Sequence, residues 1–157
     1  MKEVELSSEN VDPPDWLPDL SRIANRVYSA LHRNAWDVGV LLCDETRITE
    51  LNRTYRSTDG PTDVLTFSQN DDADVREDSG VLIAGDVAIS LPTVQSNAEV
   101  FGVTFTEELL RVYVHALLHL AGFTHEGVDL SSDAATDHPM LGLQERLVAG
   151  IQKELNS

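Results

Sequence analysis

The stretch FTEELLRVYVHALLHLAGFTHEG, residues 105–127, is apolar around almost its whole helical circumference from Thr106 to Ala121. A helix with apolar residues on every side is buried, so we predict that this segment is the central helix of the domain. Gly122 follows at the position where a residue with left-handed backbone often ends a helix. The apolar side chains are Leu109, Leu110, Val112, Val114, Leu117, Leu118 and Leu120.

Three histidines lie on this helix and directly after it, at His115, His119 and His125. The first two are four residues apart, so their side chains project from the same side of the helix. A reversal of the chain at Gly122 brings His125 back toward them. Three neutral imidazoles suit one Zn²⁺ ion with its fourth position open to water. In the alternative, His115 and His119 are hydrogen-bonded core residues and His125 is a surface residue. The position of His125 shortly after Gly122 disfavours this alternative.

The spacing HxxxHxxGxxH is also that of the metal ligands in metzincin peptidases. Those enzymes need a glutamate directly after the first histidine, where it accepts a proton from the attacking water. Ala116 occupies that position here. The pattern therefore predicts a metal site that lacks the base of peptide hydrolysis.

The rest of the 157-residue chain predicts one α+β domain, residues 1–157, with a single mixed sheet. We expect about four strands and about five helices, with the metal site on the central helix and the turn after it. The segment from Trp36 to Ser68 is predicted to be a right-handed parallel strand–helix–strand crossover. The acidic stretch from Asp71 to Asp78 is predicted to be an exposed loop.

The charge balance is strongly acidic, with 27 acids, 11 bases and a net charge of −16. Such a balance argues against a polyanionic substrate. However, six of the cations lie between residues 21 and 56 beside four acids, so that segment carries +2 and the remainder −18. An acid-rich surface adapted to salty surroundings is a further interpretation of the same composition.

The cysteine content and the hydropathy pattern predict a cytoplasmic protein. The single cysteine, Cys43, excludes an internal disulfide and is predicted to be a small buried hydrophobic residue. The N-terminal residues are too polar for a secretory signal, and no apolar stretch is long enough to span a membrane.

Three motifs occur in order: LNRTYRSTDGPTDVLTF, GDVAIS and HALLHLAGFTH. They resemble the bacterial YbeY family, whose patterns are NxxYRxxxxPTDVLSF, GDIxIS and HGxLHLxGYDH. Spacing and order match from Asp44 to His125, and Met140 and Glu145 are similar to the ending of that family. The resemblance covers most of the chain.

The resemblance implies a single-strand-specific, zinc-dependent endoribonuclease that acts in 3′-end maturation of small-subunit ribosomal RNA and in ribosome quality control. The implied partners are single-stranded RNA, ribosomal RNA, and the ribosome or ribosomal proteins, with no membrane. His115, His119 and His125 are then the ligands of one Zn²⁺, and His115 and His119 are also catalytic. Either water or the 2′-hydroxyl of RNA is the nucleophile.

Arg56 matches the arginine of the family and is the expected cation for the phosphate, since guanidinium binds phosphate in a bidentate fork. The alternative for Arg56 is a surface ion pair. The remaining polar residues of the motifs are expected to be mainly structural, with Asp86 a candidate to orient a metal ligand: Asn52, Tyr55, Thr62, Asp63 and Asp86. Arg22, Arg26 and Arg33 can lie along one helix face, where the alternatives are contact with an RNA backbone and, as expected, a solvated face.

Three residues depart from the family pattern. Ala116 replaces a glycine, Phe123 a tyrosine and Thr124 an aspartate beside the last histidine. Loss of that aspartate removes a carboxylate that could orient a metal ligand. Glu126 and Asp129 are nearby candidates to substitute for it.

Two other functions are compatible with the same residues. One is a zinc hydrolase of another substrate, including peptides. The other is a ribosome-associated binding module whose metal is structural. An open coordination position favours an enzyme, whereas a fourth protein ligand favours the structural role.

Overall fold

The computed structural model of the chain describes residues 3–14, 17–32, 35–57, 60, 62–68, 83–121 and 139–155. The predicted acidic loop and His125 lie outside these residues. The described part confirms an α+β fold with one mixed sheet. Its elements are β1 (Glu5–Ser8), α1 (Leu20–Ala30), β2 (Trp36–Cys43), α2 (Glu45–Arg56), β3 (Val64–Ser68), β4 (Ile83–Ser90), α3 (Leu91–Phe101), α4 (Phe105–Leu120) and α5 (Pro139–Leu155).

The sheet has the strand order β1-β2-β4-β3. Strands β1, β2 and β4 are parallel, and β3 pairs with β4 in the antiparallel direction. The predicted parallel crossover from Trp36 to Ser68 is therefore wrong, because β2 pairs with β4 and not with β3. The physical reason is burial. Every residue of β4 except Asp86 is buried, as suits an inner strand, whereas the short β3 carries the polar Thr66 and Ser68 and suits an edge.

Side-chain caps define where the helices begin. The sequence offers Thr104 or Thr106 as the start of α4, and the structure selects Thr104, which accepts a hydrogen bond from the Glu107 backbone N–H at 3.1 Å. Asp44 caps α2 in the same way through the Arg47 N–H, at 2.9 Å. The first helix runs from Leu20 to Ala30. Pro18 disfavours helical backbone at the residue before it, so the helix begins after this proline.

The two faces of the sheet are packed differently. We call the side on which α4 packs, together with α1 and α5, the core face, and the side partly covered by α2 the groove face. The core face carries Trp36, Val38, Val40, Leu42, Val87 and Ile89, which belong to the large buried cluster. The groove face carries Cys43, Leu65 and Ala88, which form a small cluster with Ile48 of α2.

Helix α4 lies inside the core, as its apolar circumference predicts. Leu117 and Leu118 have no solvent exposure. Two buried phenols tie α4 to α1: Tyr28 donates to the Leu117 carbonyl and Tyr113 to the Leu20 carbonyl, both at 2.8 Å. Burial raises the pKa of both phenols, so they stay neutral donors. Within the described residues, no helix is long and apolar enough to cross a membrane.

Candidate metal centre and the neighbouring groove

The side chains of His115 and His119 lie next to each other on one side of α4. Their ring centroids are 5.7 Å apart, and both residues are half-buried while most of the helix around them is fully buried. The third predicted ligand, His125, lies outside the described residues. The described part of the chain holds no group of three or more metal-binding side chains, so it provides two of the three expected ligands.

A side chain from α5 contacts the first of these histidines. The amide oxygen of Gln144 lies 2.8 Å from Nδ1 of His115, and Gln144 is 5% exposed. Because a carbonyl oxygen only accepts hydrogen bonds, the two atoms form a hydrogen bond when the ring proton is on Nδ1. The lone pair is then on Nε2, which is the state in which a neutral imidazole binds a metal. The donor groups therefore fit a metal such as zinc.

The two histidines continue a row of polar residues along α4. Arg111 of this row pairs with Glu108 at 3.3 Å and with Glu145 of α5 at 3.4 Å. Burial raises the pKa of the Glu108 carboxyl, and the Arg111 charge opposes that shift. We call this row the polar stripe; it consists of Glu108, Arg111, His115 and His119.

Arg56 is the last residue of α2 and reaches the edge strand β3. Its guanidinium donates to the backbone carbonyl of Thr66 and lies 5.8 Å from the centre of the Phe67 ring. Tyr55 packs edge-on against the same ring, with centroids 5.3 Å apart, and is itself exposed rather than part of the core. These contacts hold the exposed Arg56 side chain against β3.

The helix that bears the histidines meets the same part of the sheet from the opposite face. A Cβ atom on Gly85 of β4 would lie 2.6 Å from the Phe67 carbonyl oxygen and 2.7 Å from Cδ2 of Leu120. Glycine at this position lets the C-terminal turn of α4 pack closely under β3 and β4. The histidine helix and Arg56 therefore approach β3 from the core face and the groove face respectively.

The groove face is open where α2 ends. A groove of about 540 Å³ lies there, lined by residues of all four strands and by Leu51 and Tyr55 of α2. Gly39 makes room for Asp86, since a Cβ on Gly39 would lie 2.5 Å from the Asp86 carboxylate. Asp86 thus points away from α4 and its histidines, in agreement with a structural role and not with a role in orienting a ligand.

Other residues of the motifs hold the connection between α2 and β3. The buried Asn52 donates to the Gly60 carbonyl at 3.0 Å. The Asp63 carbonyl accepts from Ser90 N–H at 2.9 Å, and its carboxylate lies 3.4 Å from the Asn97 amide nitrogen. These contacts are structural, as expected for Asn52 and Asp63.

The structure also shows the surroundings of Ala116, at the position of the peptidase glutamate, and of Arg26 on α1; Arg33 lies outside the described residues. Ala116 is fully buried in the core, and its methyl group accepts no proton. Arg26 pairs with Glu154 at 3.1 Å on the surface, as expected for a solvated face. Phe123 and Thr124, where the chain departs from the family pattern, lie outside the described residues.

The family model and the curated relatives that match this chain carry the same description. A family model described as endoribonuclease YbeY matches residues 3–151. Endoribonuclease YbeY of Treponema pallidum (strain Nichols) is 35% identical over 159 residues, covering 100% of this chain and 94% of the relative. That of Treponema denticola is 40% identical over 144 residues, covering 90% and 88%. The solution structure of a Thermotoga maritima protein is similar with a TM-score of 0.65 at 30% identity, covering 98% of this chain and 91% of the other.

Proposed function

This chain belongs to the endoribonuclease YbeY family, and we propose that it is a zinc-dependent endoribonuclease that cleaves single-stranded RNA. The observation that supports this most directly is the pair His115 and His119, with His115 hydrogen-bonded to Gln144. The pair lies on the helix that packs beneath the strand to which Arg56 is anchored.

The proposed metal site uses His115, His119 and His125 to hold one Zn²⁺ per chain. Imidazole nitrogen is a preferred ligand of zinc, and a site with three protein ligands leaves a position for catalysis. A bound zinc ion supplies Lewis acidity for cleavage of the phosphodiester. The chain itself supplies the orientation of the rings, since α4 is fixed in the core on both sides of the histidines.

Arg56 is the proposed partner of the phosphate. Negative charge develops on the phosphate oxygens during cleavage, and a pre-positioned cation stabilises it. The contacts with Thr66 and Phe67 fix the guanidinium before substrate arrives. An arginine side chain has five N–H donors, so donating one to Thr66 does not exhaust them.

Peptide hydrolysis is the less favoured function for this site. A peptidase with this ligand spacing takes its proton acceptor from the position that Ala116 occupies. RNA differs from peptides because it supplies a nucleophile of its own, the 2′-hydroxyl. A substrate with a single 2′-deoxy nucleotide at the cleavage site distinguishes the two nucleophiles, since cleavage persists if water attacks and stops if the 2′-hydroxyl does.

The proposed cellular role is cytoplasmic 3′-end maturation of small-subunit ribosomal RNA and ribosome quality control, and it rests on family membership. The net charge of −16 disfavours non-specific association with RNA. Delivery to the substrate by the ribosome or ribosomal proteins agrees with this charge, because such contacts do not depend on a basic surface of this chain.

The test is incubation of the zinc-loaded full chain with a labelled single-stranded RNA and with the same RNA annealed to its complement. We expect cleavage of the single strand, little cleavage of the duplex, and loss of activity in His119→Ala. Equal cleavage by His119→Ala would contradict the proposal. A wild-type protein that binds zinc but cleaves neither RNA would instead support a structural metal, and cleavage of an unstructured peptide would support the other hydrolase.

A further inference from the structure

We infer that Gln144 is a positioning residue that selects the tautomer of His115, and so selects Nε2 as the ring nitrogen that faces the metal. The inference deepens the proposed function and rests on the metal site within it. It concerns a residue that lies 29 positions further along the chain and on another helix.

The geometry makes this contact selective. The distance of 2.8 Å between the Gln144 amide oxygen and His115 Nδ1 is that of a well-formed hydrogen bond. Gln144 is 5% exposed, so water competes poorly for its oxygen. The amide oxygen accepts a hydrogen bond from an N–H group and repels a nitrogen lone pair. The ring is therefore held with Nδ1 protonated and Nε2 unprotonated.

The contact is held in place by the residue next to it. Glu145 pairs with Arg111 at 3.4 Å, and Arg111 pairs in turn with the buried Glu108. Two consecutive residues of α5 therefore attach to the polar stripe of α4. Helix α5 also packs into the core through Leu147, Val148 and Ile151, so the Gln144 amide is carried by a fixed backbone.

The proton position is measurable directly by long-range ¹H–¹⁵N correlation spectra of histidine. In the full chain, both zinc-loaded and after treatment with a chelator, we expect the His115 Nδ1 resonance to be that of a protonated nitrogen. Gln144→Met keeps a similar volume and removes the acceptor. Because neutral imidazole in water carries its proton mainly on Nε2, this variant should shift His115 toward that tautomer in the zinc-free form.

Zinc affinity provides the second readout. Loss of a partner that orients a metal ligand typically weakens binding roughly 10–100-fold, so we expect this loss for Gln144→Met. Gln144→Glu keeps an acceptor and should keep both the tautomer and tight binding. Gln152→Met is the matched control: it makes the same change two turns later on α5, and the Gln152 amide oxygen has no hydrogen-bond partner among the described residues.

The outcomes separate this inference from the proposed function, because neither readout involves RNA. A wild-type His115 with its proton on Nε2 would overturn the inference, as would a Gln144→Met variant with unchanged tautomer and zinc affinity. If Gln144→Met does not fold, the inference is tested by the His115 tautomer in the wild-type spectrum and by the tautomer and zinc affinity of Gln144→Glu. Expected spectra and affinities in a protein that cleaves no RNA would contradict the proposed function and leave the role of Gln144 supported.

Discussion

The core face and the groove face of the sheet differ in packing although they share the same strands. On the core face, residues of α1, α4 and α5 join those of the sheet in the large buried cluster. On the groove face, α2 covers one end with a small cluster and leaves a groove of about 540 Å³ at the other. The same β2 backbone thus carries Val38 and Val40 into a closed core and Gly39 toward a groove.

The two faces make different contributions to the proposed site. Side chains on the core face fix α4, and with it His115 and His119. The groove face contributes Arg56, which is exposed and held by contacts with Thr66 and Phe67 rather than by core packing. The edge strand β3 is where both sets of contacts meet, so the proposed cleavage site requires the two faces to be correctly joined there.

The largest expected effect compares one leucine from each face. Leu117→Ala on the core face removes a side chain with no exposure and should lower the free energy of unfolding by about 2–5 kcal/mol. Leu51→Ala on the groove face makes the same change at a half-buried position and should cost about 1 kcal/mol. Urea unfolding measures both, and equal losses would show that the faces do not differ in packing.

A second comparison adds a methyl group to each face. Gly85→Ala places Cβ against the Phe67 carbonyl and Leu120, which cannot both move, so we expect a loss of about 1–3 kcal/mol. Gly39→Ala places Cβ against the end of the Asp86 side chain, which can swing into the groove, so the loss should be smaller. Thermal unfolding of the two variants tests this order, and the reverse order would contradict the assignment of an open groove beside Gly39.

A third prediction concerns the chemistry at β3. Arg56→Lys should keep the fold and the zinc and slow RNA cleavage by about tenfold or more, because a lysine keeps the charge but not the planar fork. Arg53→Lys is the matched control on the same helix and should leave cleavage unchanged. The measurement is the RNA cleavage rate of each variant and of the wild type at saturating RNA. Equal rates for Arg56→Lys and wild type would make Arg56 a surface residue without a catalytic role.

The smallest effect concerns Cys43, which marks the closed end of the groove face. Burial raises the pKa of this thiol to about 11, and the neighbouring Asp44 adds to the shift. Because the folded pKa is raised, the associated stability is present at neutral pH and is lost as pH rises toward 11. Iodoacetamide at pH 8 should therefore label the native protein much more slowly than the urea-unfolded protein. Equal labelling rates would place Cys43 in the open part of the groove.

Much of the fold is predictable because its signals are local. The apolar circumference of α4 predicts burial. Capping residues place the start of two helices to within two positions, at Asp44 or Thr46 and at Thr104 or Thr106, and the first of each pair is the observed cap. The pairing of β3 is not local: it depends on β4 competing for the central position beside β2, and periodicity within each strand carries no information about that competition.

In the candidate site too, features set by local sequence are predictable and those set by packing between elements are not. The spacing of His115 and His119 places both rings on one side of a helix, which follows from helical geometry alone. Gln144 was not predicted, because a glutamine in an amphipathic helix is ordinary and its contact with His115 depends on how α5 packs on α4. The position of Arg56 against Thr66 likewise depends on β3 being at the sheet edge.

The central claim is that α4 holds a metal for RNA cleavage, and metal content tests it most directly. Elemental analysis of the gently purified full chain should find about one zinc, or a similar transition metal, per molecule. His115→Ala and His119→Ala should lose it, because two imidazoles hold zinc poorly, whereas His32→Ala, at an exposed residue after α1, should retain it. Full retention of the metal by both His115→Ala and His119→Ala would contradict the account.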